Sequence, residues 1–473
     1  MGKKISANII YNILNQVVTL IVPLILSPYV ARVLSAELIG EYSYALANSS
    51  YFVLIESLGL SLYGMLKISS NRDNKEFISA IFKEIMIAKI LLMVIFVAVY
   101  IITFVIFANS NKLLCMIMVL NIISTGIDST WFLMGMEDFK TTTLRNIMVR
   151  IVNVILIITL VKSENDFLTY ALIMQSSNVL SFIVVFPTVK KYIMPVSASY
   201  KRIIEHIRNS IVYFVPGIIN TIFTSADKTV LGAFANNYEV GVYEQASKIS
   251  TLCGSVINSV SNVVLPRVTY LNHNASKDES KKILVKTLKY ASIVSIAVSA
   301  GIICVADEFV PLFFGLGYDK SSVLLKILSV NVLMNVLANY IGQQCLVATN
   351  KQREYNIAIA AGAVLNLLMN ILLVKSLQSE GVSLASAFSA IITFVMIIYF
   401  SKDTINIKDV VKITWKANVS AAIMIAASFL VKIDSLVGSL IAKTFLGAFA
   451  YVLVLILLRG FTLKNMIGKV FRK

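Results

Sequence analysis

The sequence predicts an all-α integral membrane protein of about fourteen transmembrane helices. Three observations carry that prediction. Hydrophobic residues make up 58% of the 473-residue chain and charged residues only 14%, with mean hydropathy +0.81. Soluble domains run at about 45–50% and about 25%, so lipid must solvate the surplus apolar surface. Apolar runs of about 20 residues, the length a helix needs to cross a hydrocarbon core of roughly 30 Å, recur from end to end. Lysine and arginine collect in alternate connections between those runs, as cytoplasmic loops require.

In chain order the predicted spans are 6–31, 38–63, 79–107, 112–134, 141–162, 167–187, 209–234, 240–265, 285–306, 322–348, 354–375, 381–400, 414–431 and 437–458. Lys3 and Lys4 precede the first. That run is too long for a signal-peptide core and lacks a small-residue cleavage site, so it reads as a retained span. Pro23 and Pro28 are expected to bend it. The last two spans carry more polar residues than a typical span.

Loop charge sets the orientation. With a cytoplasmic N-terminus, the inside connections hold Lys67/Arg72/Lys75, Lys140, Lys190/Lys191/Lys201/Arg202, Lys277/Lys281/Lys282, Lys351/Arg353 and Lys402/Lys408/Lys412. The tail adds Lys464, Lys469, Arg472 and Lys473, whereas the outside connections hold only Arg32, Lys112, Lys162 and Lys320. Both termini are therefore expected in the cytoplasm. The same distribution explains the net charge of +17 without a nucleic-acid partner, since no basic stripe forms.

No outside connection is long. The largest, 307–321, leaves no room for an extramembrane catalytic domain. The longest inside connection, 188–208, contains SASYKRIIEHIRN, with Ile203, Ile204 and Ile207 set apart from Lys201, Arg202, Glu205 and Arg208. This reads as a short interfacial amphipathic helix, a linker between two halves.

The halves are related in sequence. Gly40-Glu-Tyr42-Ser-Tyr-Ala45 opens the second span and Gly241-Val-Tyr243-Glu-Gln-Ala246 opens the eighth, both G-x-Y-x-x-A. Upstream, Tyr11 in IIYN matches Tyr213 in IVYF. At a second common offset, Leu160-Val-Lys-Ser163 matches Leu373-Val-Lys-Ser376, Asn153 matches Asn366, and Lys140 matches Arg353. Six spans per repeat is an even number, so the halves enter the membrane from the same side, as in transporters that rock two lobes about a central site. The expected organisation is an N-lobe over 1–187, a cytoplasmic linker over 188–208, a C-lobe over 209–400, and two further spans with a basic tail over 401–473.

The windows YNILNQVVTLIVPLILSPYVARVLSAELIGEYSYA (11–45) and SADKTVLGAFANNYEVGVYEQASKI (225–249) resemble Wzx-type polysaccharide flippases. These form the polysaccharide-transporter branch of the superfamily that holds MATE exporters and MurJ-type lipid II flippases. Ser35 and Leu38 depart from the small residues expected there, which bears on the local turn. The resemblance implies a two-lobed protein working by alternating access, with an oligosaccharide repeat unit on a polyprenyl pyrophosphate as cargo. It implies no cofactor beyond a coupling H+ or Na+ gradient, location in the cell membrane, and polysaccharide polymerase and assembly proteins as partners.

Ionisable residues inside spans are costly and tend to face cavities or one another. The cations are Lys89, Arg150, Lys228, Lys248 and Lys443; the acids are Glu56, Asp128, Asp227 and Glu244. A pyrophosphate must lose water as it crosses, and lumen cations would offset that, arginine by bidentate contact. Arg150 and Lys89, both near mid-membrane, are the leading substrate candidates; the competing reading is an ion pair with Asp128 or Glu56. Arg32 is either a gate or an interfacial anchor. Glu244 and Lys248 stand four apart, as in an intrahelical ion pair, or join Asp227 and Lys228 in an outer gate. Asp227 is the first choice for coupling. Trp131, Tyr192 and Trp415 read as interfacial belt; Tyr42, Tyr44, Tyr243 and Tyr340 are placed for sugar stacking or for the core.

Nothing points to catalysis. There is no P-loop. The four cysteines are isolated in apolar runs, and His206 and His273 have no acid or cysteine at ligand spacing. Three other readings compete with a flippase of repeat units: a MATE-like cation exporter, a lipid II flippase with a cationic N-lobe cavity, and a polysaccharide polymerase, which would need a long outside loop.

Overall fold

The computed structural model describes residues 2–106, 111–274 and 277–458, without the side chains of 2–13, 216, 220 and 259–280. The basic tail from Lys464 to Lys473 and the side chains of Tyr11 and His273 lie outside the described residues. Two compact units divide the chain, Met1–Gly241 and Val242–Lys473.

The first unit contains α1 (Gly2–Val33), α2 (Ala36–Ser57), α3 (Leu60–Ser69), α4 (Lys75–Tyr100, continued by a π-helical turn to Ile106) and α5 (Lys112–Ile127). It goes on through α6 (Thr130–Gly135), α7 (Phe139–Leu160), α8 (Phe167–Val189), α9 (Tyr200–Ser210) and α10 (Val215–Phe234). Next come α11 (Asn237–Asn274), whose first turn closes this unit, α12 (Lys277–Phe314), α13 (Asp319–Ile341), α14 (Gln352–Phe400), α15 (Ile407–Ser428) and α16 (Leu436–Leu457). Every predicted span is mostly helical, though 38–63 straddles α2 and α3 and 112–134 straddles α5 and α6.

Among the described residues, ten helices are long and apolar enough to cross a membrane, and the α2–α3 pair, bent by 44°, makes eleven. The bend has a local cause. Leu58 at φ 39° and Gly59 at φ 75° both take left-handed conformations, which stop one helix and start the next. Helix α14 is two helices joined at Gln378, where φ is 49° and ψ −128°, at the break expected between 375 and 381. Helices α10 and α11 cover the seventh and eighth spans with more polar sequences. The set is consistent with fourteen crossings.

Three expectations are corrected. The connection placed at 307–321 is mostly helix, because α12 runs on to Phe314 and α13 begins at Asp319. Trp131 is not a belt residue. It is 2% exposed, its ring lies against Phe82, and it packs in the first unit's core with Leu60, Ile85 and Phe132. Its place on the short α6, behind a break at Asp128, turns it inward. Within the linker, α9 does form, but Ile204 is exposed while Ile203 is buried; Ile203 and Ile207 pack on the core formed by α3, α4 and α6.

The repeated G-x-Y-x-x-A motif has a steric reason for its glycines. A Cβ on Gly40 would stand 1.7 Å from the carbonyl oxygen of Asn237, and one on Gly241 would stand 1.8 Å from that of Ala36. The first turns of α2 and α11 therefore touch backbone to backbone.

In the second unit, α15 and α16 dock on α12. Ala300 and Cys304 of α12 pack with Ala417, Ala421, Met424 and Leu455, and the Tyr451 hydroxyl donates to the Ile293 carbonyl at 2.7 Å.

Candidate functional site

Lys89 of α4 is fully buried. Its ammonium donates to the Asp128 backbone carbonyl at 2.8 Å and to Ser61 Oγ at 3.2 Å. Lys89 thus ties α4 to α3 and to the break between α5 and α6. The expected ion pair is not formed as a direct contact: the Asp128 carboxylate is taken by Thr130, accepting from its amide at 2.8 Å and its hydroxyl at 2.6 Å. Both bonds go to Oδ1, and Lys89 meets Asp128 through its backbone carbonyl, with the carboxylate acting on it through space. Glu56, at the end of α2, is 1% exposed, and neither carboxylate oxygen has a hydrogen-bond partner among the described residues. It interacts with Lys89 through space only.

Two arginines lie on α7. Arg145 is 9% exposed and is held by neutral groups: Nε donates to Asn146 Oδ1 at 3.1 Å and Nη1 to the Ser181 carbonyl at 3.4 Å, with the Phe182 ring 5.4 Å away. Asn146 in turn donates to Asn15 of α1 at 3.2 Å. Arg150 is half-buried and makes no hydrogen bond or ion pair among the described residues. Lys89, Arg145 and Arg150 thus form a set of intramembrane cations that no carboxylate contacts directly.

The other candidates fall in different places. Arg32 is exposed at the end of α1. Asp227 of α10 is 6% exposed, and its neighbourhood faces α2: Thr229 donates to Asn48 at 3.5 Å, and Tyr51 lies within electrostatic reach of Asp227. Lys228, the next residue, is half-buried. Glu244 and Lys248 of α11 form the i, i+4 pair at 3.8 Å. Asp227 and Lys228 belong to the first unit and Glu244 and Lys248 to the second. Of the four tyrosines, Tyr42, Tyr243 and Tyr340 are buried and serve the core.

The polysaccharide biosynthesis protein family model matches residues 5–272, more than half of the chain. The chain belongs to that family. Among its relatives, a putative O-antigen transporter of Escherichia coli K12 is 22% identical over 401 residues, covering 83% of this chain and 95% of that protein. The capsular polysaccharide biosynthesis protein CapF of Staphylococcus aureus is 23% identical, covering 85% and 99%. In fold, the chain is similar to the lipid II flippase MurJ in an inward-closed conformation, with TM-score 0.74, 18% identity, and coverage of 95% and 99%. An inward-facing MATE-family multidrug transporter follows with TM-score 0.60, 14% identity, and coverage of 84% and 99%. This member of the polysaccharide biosynthesis family therefore has a MurJ- and MATE-like all-α membrane fold.

Sequence reasoning missed two features. Arg145 lies inside the predicted 141–162 span, yet so near its end that it reads as an interfacial residue. The second is a buried polar knot. Glu84 of α4, 1% exposed, accepts from Arg202 at 3.0 Å and from the Ser199 amide at 3.0 Å. It also stands 3.1 Å from His206 Nε2, whose Nδ1 meets the Tyr63 hydroxyl at 3.0 Å. His206 is thus satisfied from two elements, α4 and α3, that local spacing could not connect.

Proposed function

We propose that this protein is a flippase that moves polyprenyl-pyrophosphate-linked oligosaccharide repeat units from the cytoplasmic to the outer leaflet by alternating access, for export of a surface polysaccharide. The observation that carries the reading is the cation set Lys89, Arg145 and Arg150: the first two are buried and hydrogen-bonded to hydroxyl, amide and carbonyl groups, and the half-buried Arg150 has no carboxylate partner among the described residues. Cations hydrogen-bonded to neutral groups suit a cargo whose anionic pyrophosphate must be desolvated, and the Arg150 guanidinium, which has no hydrogen-bond partner among the described residues, offers a planar fork to grip it. A cation exporter would gain nothing from such a set. Family membership and the names of the relatives support the polysaccharide cargo, with sugar-polymerising and assembly proteins as downstream partners. Loop charge supports cytoplasmic termini.

Coupling to H+ or Na+ is part of the proposal. Glu56 fits that role better than Asp128, which is occupied with Thr130, and stands beside Asp227 as a candidate. A buried carboxylate with no hydrogen bond is expensive in a membrane, and occupation by a cation relieves it. Glu56→Gln should leave folding intact and abolish the response of transport to an imposed ion gradient.

The deciding test is genetic. Deletion should trap lipid-linked repeat units on the cytoplasmic leaflet, and restoring the chain should release them. Normal surface polysaccharide in a deletion strain without a paralogue would reject the function. Rescue of lipid II export instead would assign the cargo of the MurJ-type reading.

A further inference from the structure

The first unit carries a cavity of about 600 Å³ between α4, α8 and the strap that follows α8, within the roughly 300–1,000 Å³ range of ligand sites. Its walls are Phe82, Met86, Ile90 and Phe186, with Lys83 and Lys190 as the charged groups and no carboxylate among the lining residues. Ile90, Phe186 and Met194 are each 42% exposed, so the cavity opens on the face that lipid covers.

The strap is built. The Met194 amide donates to Ser79 Oγ at 2.9 Å, the Ser199 amide to Glu84 Oε1 at 3.0 Å, and Lys83 Nζ to the Val196 carbonyl at 2.7 Å. Three bonds to α4 hold residues 194–199 as a fixed wall. The bond to Val196 uses one of the three protons on Lys83 and fixes the ammonium at the mouth, with two donors left. Lys190, at the end of α8, stands exposed on the same mouth.

We propose that this cavity is a binding site for an anionic phospholipid of the bilayer. One acyl chain enters the apolar cleft between α4 and α8, and the headgroup phosphate bridges Lys83 and Lys190. The charge argument selects the occupant. A zwitterionic lipid would offer these two cations no net negative charge, whereas basic pockets at the ends of transmembrane helices favour anionic headgroups. The site does not depend on the proposed transport cargo, since none of Lys89, Arg145 and Arg150 lines it. A lipid there would clamp α4, which bears Lys89, to α8, whose Ser181 carbonyl holds Arg145.

The test uses the full chain in nanodiscs containing equal phosphatidylglycerol and phosphatidylcholine, with retained lipid read by native mass spectrometry. The wild type should retain phosphatidylglycerol preferentially. K83Q/K190Q should lose about thirtyfold of that preference, roughly 1 kcal/mol per lysine near a membrane surface. Met86→Trp, which fills the cleft, should release both lipids. If the double variant does not fold, K190Q alone leaves the strap bond intact and should lose about fivefold. Equal retention of the two lipids by the wild type, or an unchanged preference in K83Q/K190Q or K190Q, would overturn the assignment. So would complete displacement of phosphatidylglycerol by a short-chain polyprenyl phosphate, which would give the cavity to the carrier lipid.

Discussion

The two units bury the same kind of polar linkage but give different partners to the cations of their membrane helices. In the first, Tyr42 of the repeated motif accepts from Gln175 of α8 at 2.8 Å, and Ser177 of α8 donates to Asn153 of α7 at 2.5 Å. In the second, the matching Tyr243 stands 3.4 Å from Ser386 in the latter half of α14, and the matching Asn366 donates to the same Ser386 at 3.1 Å. The scaffold is repeated down to its tyrosine and asparagine. The charges are not. In the second unit Glu308 of α12, 7% exposed, accepts from Lys443 of α16 and from Ser439 at 2.9 Å. Glu244 has Lys248, and Asp307 has Lys326 at 2.5 Å. In the first unit Glu84 is paired as well, with Arg202 and His206, but Lys89 and Arg145 hydrogen-bond only neutral groups, and among the described residues Arg150 has no partner and Glu56 no hydrogen bond. The Glu308–Lys443 pair fastens α12 to α16, whereas a cation hydrogen-bonded to neutral groups has no carboxylate in contact to compete with an anionic ligand.

That contrast can be broken from either side. The largest effect belongs to Lys443→Met, which strands Glu308. Losing one partner of a buried pair costs about 3–5 kcal/mol, read as a loss of thermal stability in detergent. The double change Lys443→Met/Glu308→Leu should recover most of it. Arg150→Ala should do the reverse, leaving stability within about 0.5 kcal/mol while transport falls by one to two orders of magnitude. That fall corresponds to about 1.5–3 kcal/mol for a charged hydrogen bond to phosphate. Arg150→Lys should restore only part, for want of the planar fork.

Gly40→Ala sharpens the shared scaffold. Its new methyl meets the Asn237 carbonyl, so stability should drop by about 1–3 kcal/mol, and Gly241→Ala should match it. Asp403→Asn gives the smallest effect. Lys351, 2.9 Å away, holds the Asp403 carboxyl below its ordinary value of 3.8. Its stabilisation is therefore present above that value and lost only as pH falls through the lower folded value. The group is fully exposed, so the variant's melting temperature at neutral pH should be unchanged.

The fold was legible in the sequence because lipid imposes a simple rule: a span must be apolar for its full length. Even the break near Gln378 shows, as the run of polar residues between two apolar stretches. The bend at Leu58–Gly59 does not show, since a leucine in a left-handed conformation has no local signature. The repeat was legible where sterics or hydrogen bonds fix one residue type, as at Gly40, Gly241, Asn153 and Asn366. The candidate site was legible as a set of charged residues but not as partnerships. Sequence alone could offer Lys89 an ion pair with Asp128; only the fold shows Thr130 taking that carboxylate. The Glu84–His206–Tyr63 knot joins residues far apart in the chain, and no spacing rule reaches it.

The central claim is that this chain carries a pyrophosphate-linked glycan across the membrane on the cations Lys89, Arg145 and Arg150 of its first unit. Reconstitution of the purified protein in liposomes with a labelled polyprenyl-pyrophosphate oligosaccharide in one leaflet tests it most directly. The wild type should bring the label to the opposite leaflet, and folded Arg150→Ala should do so one to two orders of magnitude more slowly. No translocation by the wild type, or equal rates for the two proteins, would contradict it.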